Sequence, residues 1–265
     1  MTSQIKTSTP ALDKVVLIID YLAINGPSSF STIYQNLDLP KSSTSTLLNN
    51  LVIHGILRQN SDDKYTLALR LYEWGIKAVS NFDIKEIALP ILEKLRDETG
   101  LTCHLGIMDG NFPTYLLKVE SPSAVIIKSW LGKRLPINST ALGKVFLAYM
   151  DVKKAHQLIQ QQLPFKQFTA NTICDTDTLL KSIQVVKKQG WACDNEEDAD
   201  GVICLAAPVL NYNHEIIAAV SISGITTQYQ IKPIEEQVPI LKKYVQLLSQ
   251  EIGAFDKQTD ILQKM

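Results

Sequence analysis

The sequence predicts an α+β protein in two parts, a short N-terminal run of three helices closed by a β-hairpin and a longer C-terminal domain built on one antiparallel sheet. Three observations carry this prediction. Between residues 11 and 54 apolar side chains recur at helical spacing, in stretches broken at Gly26-Pro27 and Leu39-Pro40. After residue 100 the pattern changes to short apolar runs separated by turn residues. Those runs are grouped at both ends of a helical segment, unlike the strict strand-helix alternation of a dinucleotide-binding fold.

The first helix follows from Leu12, Val15, Val16, Ile19 and Leu22, one stripe at i, i+3, i+4, i+7. It stops at Asn25-Gly26-Pro27, because Gly accepts a left-handed cap and Pro cannot extend a helix. Ser31 is placed to cap a brief second helix, with Ile33 and Leu37 on one face. Asp38-Leu39-Pro40 ends it, and Ser42 or Ser43 caps a third helix that runs to about His54 before Gly55. Ile56-Leu57-Arg58-Gln59 and Lys64-Tyr65-Thr66-Leu67 flank the turn-rich Asn60-Ser61-Asp62-Asp63 and predict a hairpin. Helix, short helix, turn, helix, hairpin is the order of a winged helix-turn-helix. A further stripe, Leu71, Trp74 and Ala78, predicts a linker helix. The predicted organisation is a winged helix-turn-helix over residues 1–68, a linker over 69–82 and a second domain over 83–265.

In that second domain, a helix to Thr99 contains Pro90, which is expected to kink or restart it. Leu101–Met108, Tyr115–Glu120 and Ala124–Trp130 are expected strands, joined across Asp109-Gly110-Asn111 and Ser121-Pro122-Ser123. Helices are expected at Ser139–Met150, Val152–Gln162 and Thr178–Gly190, strands at Gly201–Leu210 and Glu215–Ser223, and a last helix at Pro233–Phe255.

The 265 residues exceed one typical domain, and 45% hydrophobic with 20% charged residues is an ordinary globular composition. Residues 1–10 lack the apolar core of a secretory signal, and no apolar run approaches the roughly 20 residues of a membrane helix. Cys103, Cys174, Cys193 and Cys204 are scattered, without C-x-x-C pairs or nearby ligand histidines, which suggests neither a zinc knot nor a disulfide framework and fits reduced thiols. A soluble cytoplasmic chain without metal or cofactor is expected. Net charge is −1, so bulk electrostatics does not argue for coating nucleic acid, while a local patch remains open.

The third helix turns Leu47, Leu48, Leu51 and Val52 one way and Lys41, Ser42, Ser43, Thr44, Thr46, Asn49 and Asn50 largely the other. Such a face is either an ordinary solvated surface or a set of groups for phosphates and base edges, with Lys41 seeking phosphate. Ser139-Thr140-Ala141-Leu142-Gly143-Lys144 opens a helix whose N–H groups form either a seat for a carboxylate or a simple capped end. It lacks P-loop spacing. Asp194-Asn195-Glu196-Glu197 with Asp198 and Asp200 concentrates acid, either as a solvated loop or as a site, but matches no calcium-loop pattern. Ser221 and Ser223 alternate onto one strand face, where they either orient a ligand or bond locally. Cys103 and His104 are strand neighbours pointing to opposite faces, so they do not form one thiol-imidazole pair. No G-x-S-x-G elbow is present.

With these residues in place, the chain resembles the IclR family of bacterial regulators over nearly its whole length. The resemblance rests on Ala11-Leu12-Asp13-Lys14, Leu39-Pro40-Lys41-Ser42-Ser43, Lys64-Tyr65-Thr66-Leu67, Gly132-Lys133-Arg134-Leu135-Pro136 and Thr140-Ala141-Leu142-Gly143-Lys144. It continues through Asp194-Asn195-Glu196-Glu197, Gly201-Val202-Ile203-Cys204-Leu205-Ala206-Ala207-Pro208 and Ser221-Ile222-Ser223-Gly224. It implies a ligand-responsive transcription regulator with a winged helix domain, a linker helix and a GAF-like effector domain, assembled as a dimer or dimer of dimers on double-stranded operator DNA. DNA contacts then fall to Lys41, Ser42, Ser43, Thr44, Thr46, Asn49, Lys64 and Tyr65. The small carboxylate effector falls to Ile126, Ala141, Leu142, Asp194, Cys204, Ser221 and Ser223, and the hydroxyl-bearing wall points to a sugar acid such as 2-keto-3-deoxygluconate or to a keto acid.

One position departs from the family. Recognition helices there commonly carry an Arg where this chain has Thr46, and its arginines are Arg58, Arg70, Arg96 and Arg134. Bidentate guanine readout from that position is lost. Two other readings stay open at this point: a sensor acting through a protein partner, and a small-acid hydrolase built on Asp194, Glu196, Cys204 and the serines.

Overall fold

The computed structural model describes residues 7–80, 83–123 and 127–253. Those residues fall into two compact units, one up to residue 80 and one from residue 83.

The first unit contains α1 (Pro10–Asn25), α2 (Phe30–Asn36), α3 (Lys41–Ile53), the antiparallel pair β1 (Leu57–Gln59) and β2 (Tyr65–Leu67), and α4 (Leu69–Ser80). Its core is Ile18, Tyr21, Leu22, Ile33, Leu48, Leu51 and Leu57, the apolar stripes of three helices closing on β1. Two caps differ from expectation. Ser29, not Ser31, starts α2, because its extended backbone turns Oγ toward the N–H of Thr32 at 3.2 Å. Pro40 occupies the cap position of α3, and Ser43 and Thr44 donate their hydroxyls back to its carbonyl at 3.1 and 2.9 Å. The helix therefore begins a residue or two before the predicted serines. In the hairpin turn, Asn60 Oδ1 accepts from the N–H groups of Asp62 and Lys64, a local closure that needs no distant partner.

The second unit begins with α5 (Ile84–Thr99), capped by Asp83 and ended by left-handed Gly100. It runs as one helix through Pro90. After it come β3 (Thr102–Asp109), β4 (Phe112–Val119), α6 (Ala141–Tyr149), α7 (Val152–Gln161), α8 (Thr176–Gln189), β5 (Ala192–Asn195), β6 (Val202–Leu210), β7 (Ile216–Ile225), α9 (Thr226–Ile231) and α10 (Ile234–Glu251). The five strands form one antiparallel sheet in the order β4-β3-β7-β6-β5. Of the strand expected over 124–130, residues 127–130 are irregular, and 124–126 lie outside the described residues. Strand β5 and helix α9 were not anticipated, β5 because its Asp194-Asn195 end reads as loop.

Alternation along the strands separates two cores. Cys103, Leu105, Leu205, Ala207, Val220 and Ile222 pack with Leu92, Leu95, Leu241 and Leu248 of α5 and α10. Ala192, Ala206, Ala219 and Tyr115 on the opposite face pack with Ala141, Leu142, Val145 and Phe146 of α6. Gly143 lets that helix press onto the preceding segment, since a Cβ there would lie 2.6 Å from Ile137 Cα and 2.7 Å from the Pro136 carbonyl. Gly143→Ala is expected to lower stability by about 1–3 kcal/mol, and an unchanged melting temperature would show that α6 is not held this tightly.

Candidate functional site

The chain has two candidate sites, one in each unit. On α3 the buried side chains are Thr44, Leu48 and Leu51, while Lys41, Ser42, Ser45, Thr46, Asn49 and Asn50 are exposed. Ser42, Ser45, Thr46 and Asn49 are spaced i, i+3, i+4, i+7, so they form one polar stripe. Ser45 was missed by the sequence reading, though its spacing from Ser42 and Asn49 could have found it. Thr44 does not belong to this stripe. It is 0% exposed, and its hydroxyl is spent on Pro40. A small β-branched residue there closes the helix onto the core and cannot reach a duplex. Thr46 Oγ1 donates to the Ser42 carbonyl at 3.2 Å, which leaves its oxygen as an acceptor on an exposed surface.

In the hairpin, Lys64 is exposed beside the turn, as is Arg58 on β1, which the sequence reading left out of the DNA set. Tyr65 is half-buried against the core of this unit, and its backbone exchanges hydrogen bonds with Ser28 at 3.0 and 2.9 Å. Its structural task is to pin the hairpin, while Lys64 and Arg58 supply exposed charge.

In the second unit, strand register assembles two rows of side chains on the face that α6 covers. One runs Asp194, Cys204, Ser223, Thr102 across β5, β6, β7 and β3. The other runs Ala192, Ala206, Ser221, His104, Lys118 across all five strands. Asp194, Cys204, Ser221 and Ser223 are thus brought together as expected of one wall, and Ala141 and Leu142 are packed in the same core at the start of α6. Ile126, the remaining expected wall residue, lies outside the described residues.

The acidic segment is built into the fold. Asp194 is 2% exposed and accepts from the N–H groups of Glu197 at 2.8 Å and Asp198 at 3.3 Å. Burial first, and then the Glu197 charge, push its carboxyl up to about 7 against the pull of those N–H groups and of Lys144. Glu197 receives the buried Lys144 ammonium at 2.6 Å, and Asp198 receives the Ser139 hydroxyl at 2.9 Å. Thr169 and Thr172 donate to the carbonyls of Glu196 and Glu197, each at 2.6 Å. The Ser139 and Lys144 bonds tie the segment to the opening of α6 and the threonines tie it to the stretch before α8, so the solvated-loop reading does not hold.

On α6, Thr140 Oγ1 accepts from the Gly143 N–H at 3.1 Å and its carbonyl accepts from Lys144. The N–H groups of Ala141 and Leu142 have no acceptor within the helix, and its positive dipole end favours an anion. Cys204 accepts the Ser223 hydroxyl at 3.1 Å, and burial raises its thiol well above the usual range, which keeps it protonated.

His104 was not among the expected site residues, having been ruled out only as a partner of Cys103, yet it shares the row with Ser221. Its ring is fully buried, stacks on Tyr115 at 4.2 Å between centroids, and places Nε2 2.8 Å from Ser129 Oγ. Burial, with Lys118 and Lys133 adding to it, pushes its pKa down to about 3, so the imidazole is neutral. Among the described residues, neither Ser221 Oγ nor His104 Nδ1 has a hydrogen-bond partner. Among them, too, no His, Cys, Asp and Glu cluster suits a metal ion, and no helix is long and apolar enough to cross a membrane.

Two family models cover most of the chain. Residues 11–61 match the IclR helix-turn-helix domain, and residues 76–250 match the C-terminal domain of bacterial transcriptional regulator IclR. An uncharacterized HTH-type transcriptional regulator of Escherichia coli K12, RhmR, is 38% identical over 222 residues, 84% of this chain and 85% of its own length. The HTH-type transcriptional regulator KdgR of the same strain is 31% identical over 250 residues, 94% of this chain and 95% of its own. The crystal structure of Thermotoga maritima IclR aligns with a TM-score of 0.61 at 30% identity, covering 91% of this chain and 98% of that one. These relatives are transcription regulators and not enzymes, which removes the hydrolase alternative. The chain belongs to the IclR family of bacterial DNA-binding transcription regulators.

Proposed function

We propose that this regulator is switched by a small organic acid, a sugar acid or a keto acid, held between the opening of α6 and the two rows of the sheet. The carrying observation is Ser221 Oγ, a hydroxyl 2% exposed in the middle of a sheet, with no partner among the described residues. A buried hydroxyl without a partner is costly, by about 1–3 kcal/mol, and a ligand oxygen removes that penalty. The Ala141 and Leu142 N–H groups then receive the carboxylate.

Operator contact is assigned to Lys41, Ser42, Ser45, Thr46 and Asn49 on α3, with Ser43 at its edge and Lys64 and Arg58 on the hairpin. A cytoplasmic homo-oligomer, a dimer or dimer of dimers, would set two such helices on half-sites of a near-palindrome. A coupling free energy of about 1–3 kcal/mol between acid and operator would change DNA affinity by roughly 5- to 150-fold.

The test is fluorescence anisotropy with the DNA upstream of the regulator's own gene against a scrambled duplex, at physiological salt, with and without the acids. Lys41→Ala is expected to weaken binding to both duplexes and to reduce the salt slope by about one. Asn49→Ala should weaken the specific duplex alone. Thr44→Ala should change stability and leave the preference between duplexes intact. Equal binding of both duplexes by the wild type, unaffected by any acid, would count against the assignment.

A further inference from the structure

We infer that His104 is a specificity-determining residue of the acid site, and that its Nδ1 pairs with a hydroxyl of the ligand, so that the effector is an aliphatic hydroxy acid. This rests on the effector reading above and narrows it.

The geometry leaves the ring one free position. Nε2 is engaged by Ser129, one face is covered by Tyr115, and the ring is fully buried. Its neighbour across β7 is Ser221, so the two unpartnered atoms, Nδ1 and Ser221 Oγ, belong to directly opposed side chains on one face of the sheet. The Ser129 hydroxyl has one proton, offered either to Nε2 or to the Ile127 carbonyl 3.4 Å away. In the first case Nδ1 carries a proton and donates; in the second it presents a bare lone pair. A ligand hydroxyl satisfies both tautomers, because it donates and accepts. A keto or carboxylate oxygen satisfies only one, and an aromatic ring or alkyl chain satisfies neither.

Charge points the same way. The only ammonium in this row, that of Lys118, already donates to Glu120 at 2.8 Å and to the carbonyls of Ser129 and Ile127 at 3.0 and 3.4 Å. The imidazole is neutral. With no free cation in the row, the ligand carboxylate belongs at the α6 end, and the hydroxyl-bearing part of the chain lies along Ser221 and His104.

Isothermal titration of the full-length protein tests this with three sets of probes: aldonic acids of four to six carbons, hexanoate and benzoate as acids without hydroxyls, and pyruvate and 2-oxobutyrate as keto acids. At least one aldonic acid should bind, with the other sets weaker by on the order of 100-fold or more. His104→Phe, which keeps the stack on Tyr115, should weaken the aldonic acid by roughly 10- to 100-fold, and His104→Gln should recover part of the loss. A third readout leaves the fold untouched: in wild-type protein with ¹⁵N-labelled histidine, the Nδ1 resonance of His104 should shift on adding the aldonic acid and not on adding hexanoate. Tight binding of hexanoate, benzoate or a plain keto acid, with Nδ1 unmoved, would overturn the role of His104 and keep the acid-effector reading. Binding of no acid from any set would overturn that reading, and this inference with it.

Discussion

Lys144→Met is expected to lower the stability of the second unit by about 3–5 kcal/mol, among the largest effects of any single substitution in this chain. The Lys144 ammonium and the Glu197 carboxylate meet at 2.6 Å with side chains only 3% and 11% exposed. Removing the cation leaves Glu197 charged in a dry interior, and its Oε2 already has no partner among the described residues. The pair itself need not be strongly stabilising, because desolvation offsets most of its attraction. Replacing both groups, as in Lys144→Met with Glu197→Leu, should therefore recover most of the loss. Denaturant unfolding of the full-length protein, followed by a signal from the second unit, measures both variants. Equal damage from the single and the double variant would show that the loss reflects packing and not an orphaned charge. The acidic segment should also loosen, since Glu197 anchors it to α6, and acid binding should weaken with it.

The second large effect concerns pH. Asp194 is held near 7 by burial, against an ordinary value of 3.8. Below about pH 4 the folded and unfolded chains both carry its proton, and it contributes no penalty. Between about pH 4 and 7 the unfolded chain has lost the proton while the folded chain keeps it. Unfolding then releases a proton, and stability falls as pH rises. Above about 7 both states are ionised, and the penalty stays at its maximum, on the order of 2–4 kcal/mol.

Asp194→Asn keeps an oxygen for the N–H groups of Glu197 and Asp198 and has no charge to bury. It should match the wild type near pH 4 and exceed it above pH 7. Parallel stability profiles for the two proteins between pH 4.5 and 7.5 would sink this assignment. The same carboxyl sits in the row with Cys204 and Ser223, near Glu197 and Lys144, so its charge opposes an anionic ligand. Affinity of the wild type for an acid effector should fall as pH rises through 7, and that fall should disappear in Asp194→Asn.

Much of the architecture was legible from residue order because its causes are local. Gly26-Pro27, Gly55 and the Asn60–Asp63 turn end or reverse the chain through their own backbone preferences. The stripes of α1 and α3 and the alternation of β6 and β7 mark which sides must leave water. From these the helix-turn-helix, the hairpin and the antiparallel sheet follow, together with Ser221 and Ser223 as residues of one face; Asp194 and Cys204 entered the expected wall only through the family resemblance. The errors were also local. Thr44 is polar and lies between polar neighbours, but helical phase turns it inward. The run before Trp130 is apolar without forming a strand over 127–130.

What the sequence by itself determined is most of the elements, though not β5 or α9, with their order and the faces they bury, since period and turn chemistry act over a few residues. Only the tertiary structure decided the site. His104 and Ser221 are 117 residues apart in the chain and become neighbours through the β3–β7 register. Lys144 reaches Glu197 because α6 lies against the sheet. The physical reason is that hydrogen-bond register and burial are long-range properties. They turn a buried histidine into a neutral ring with one unpartnered nitrogen, and they raise the Asp194 carboxyl to about 7 chiefly by burial, which the neighbouring Glu197 charge only reinforces.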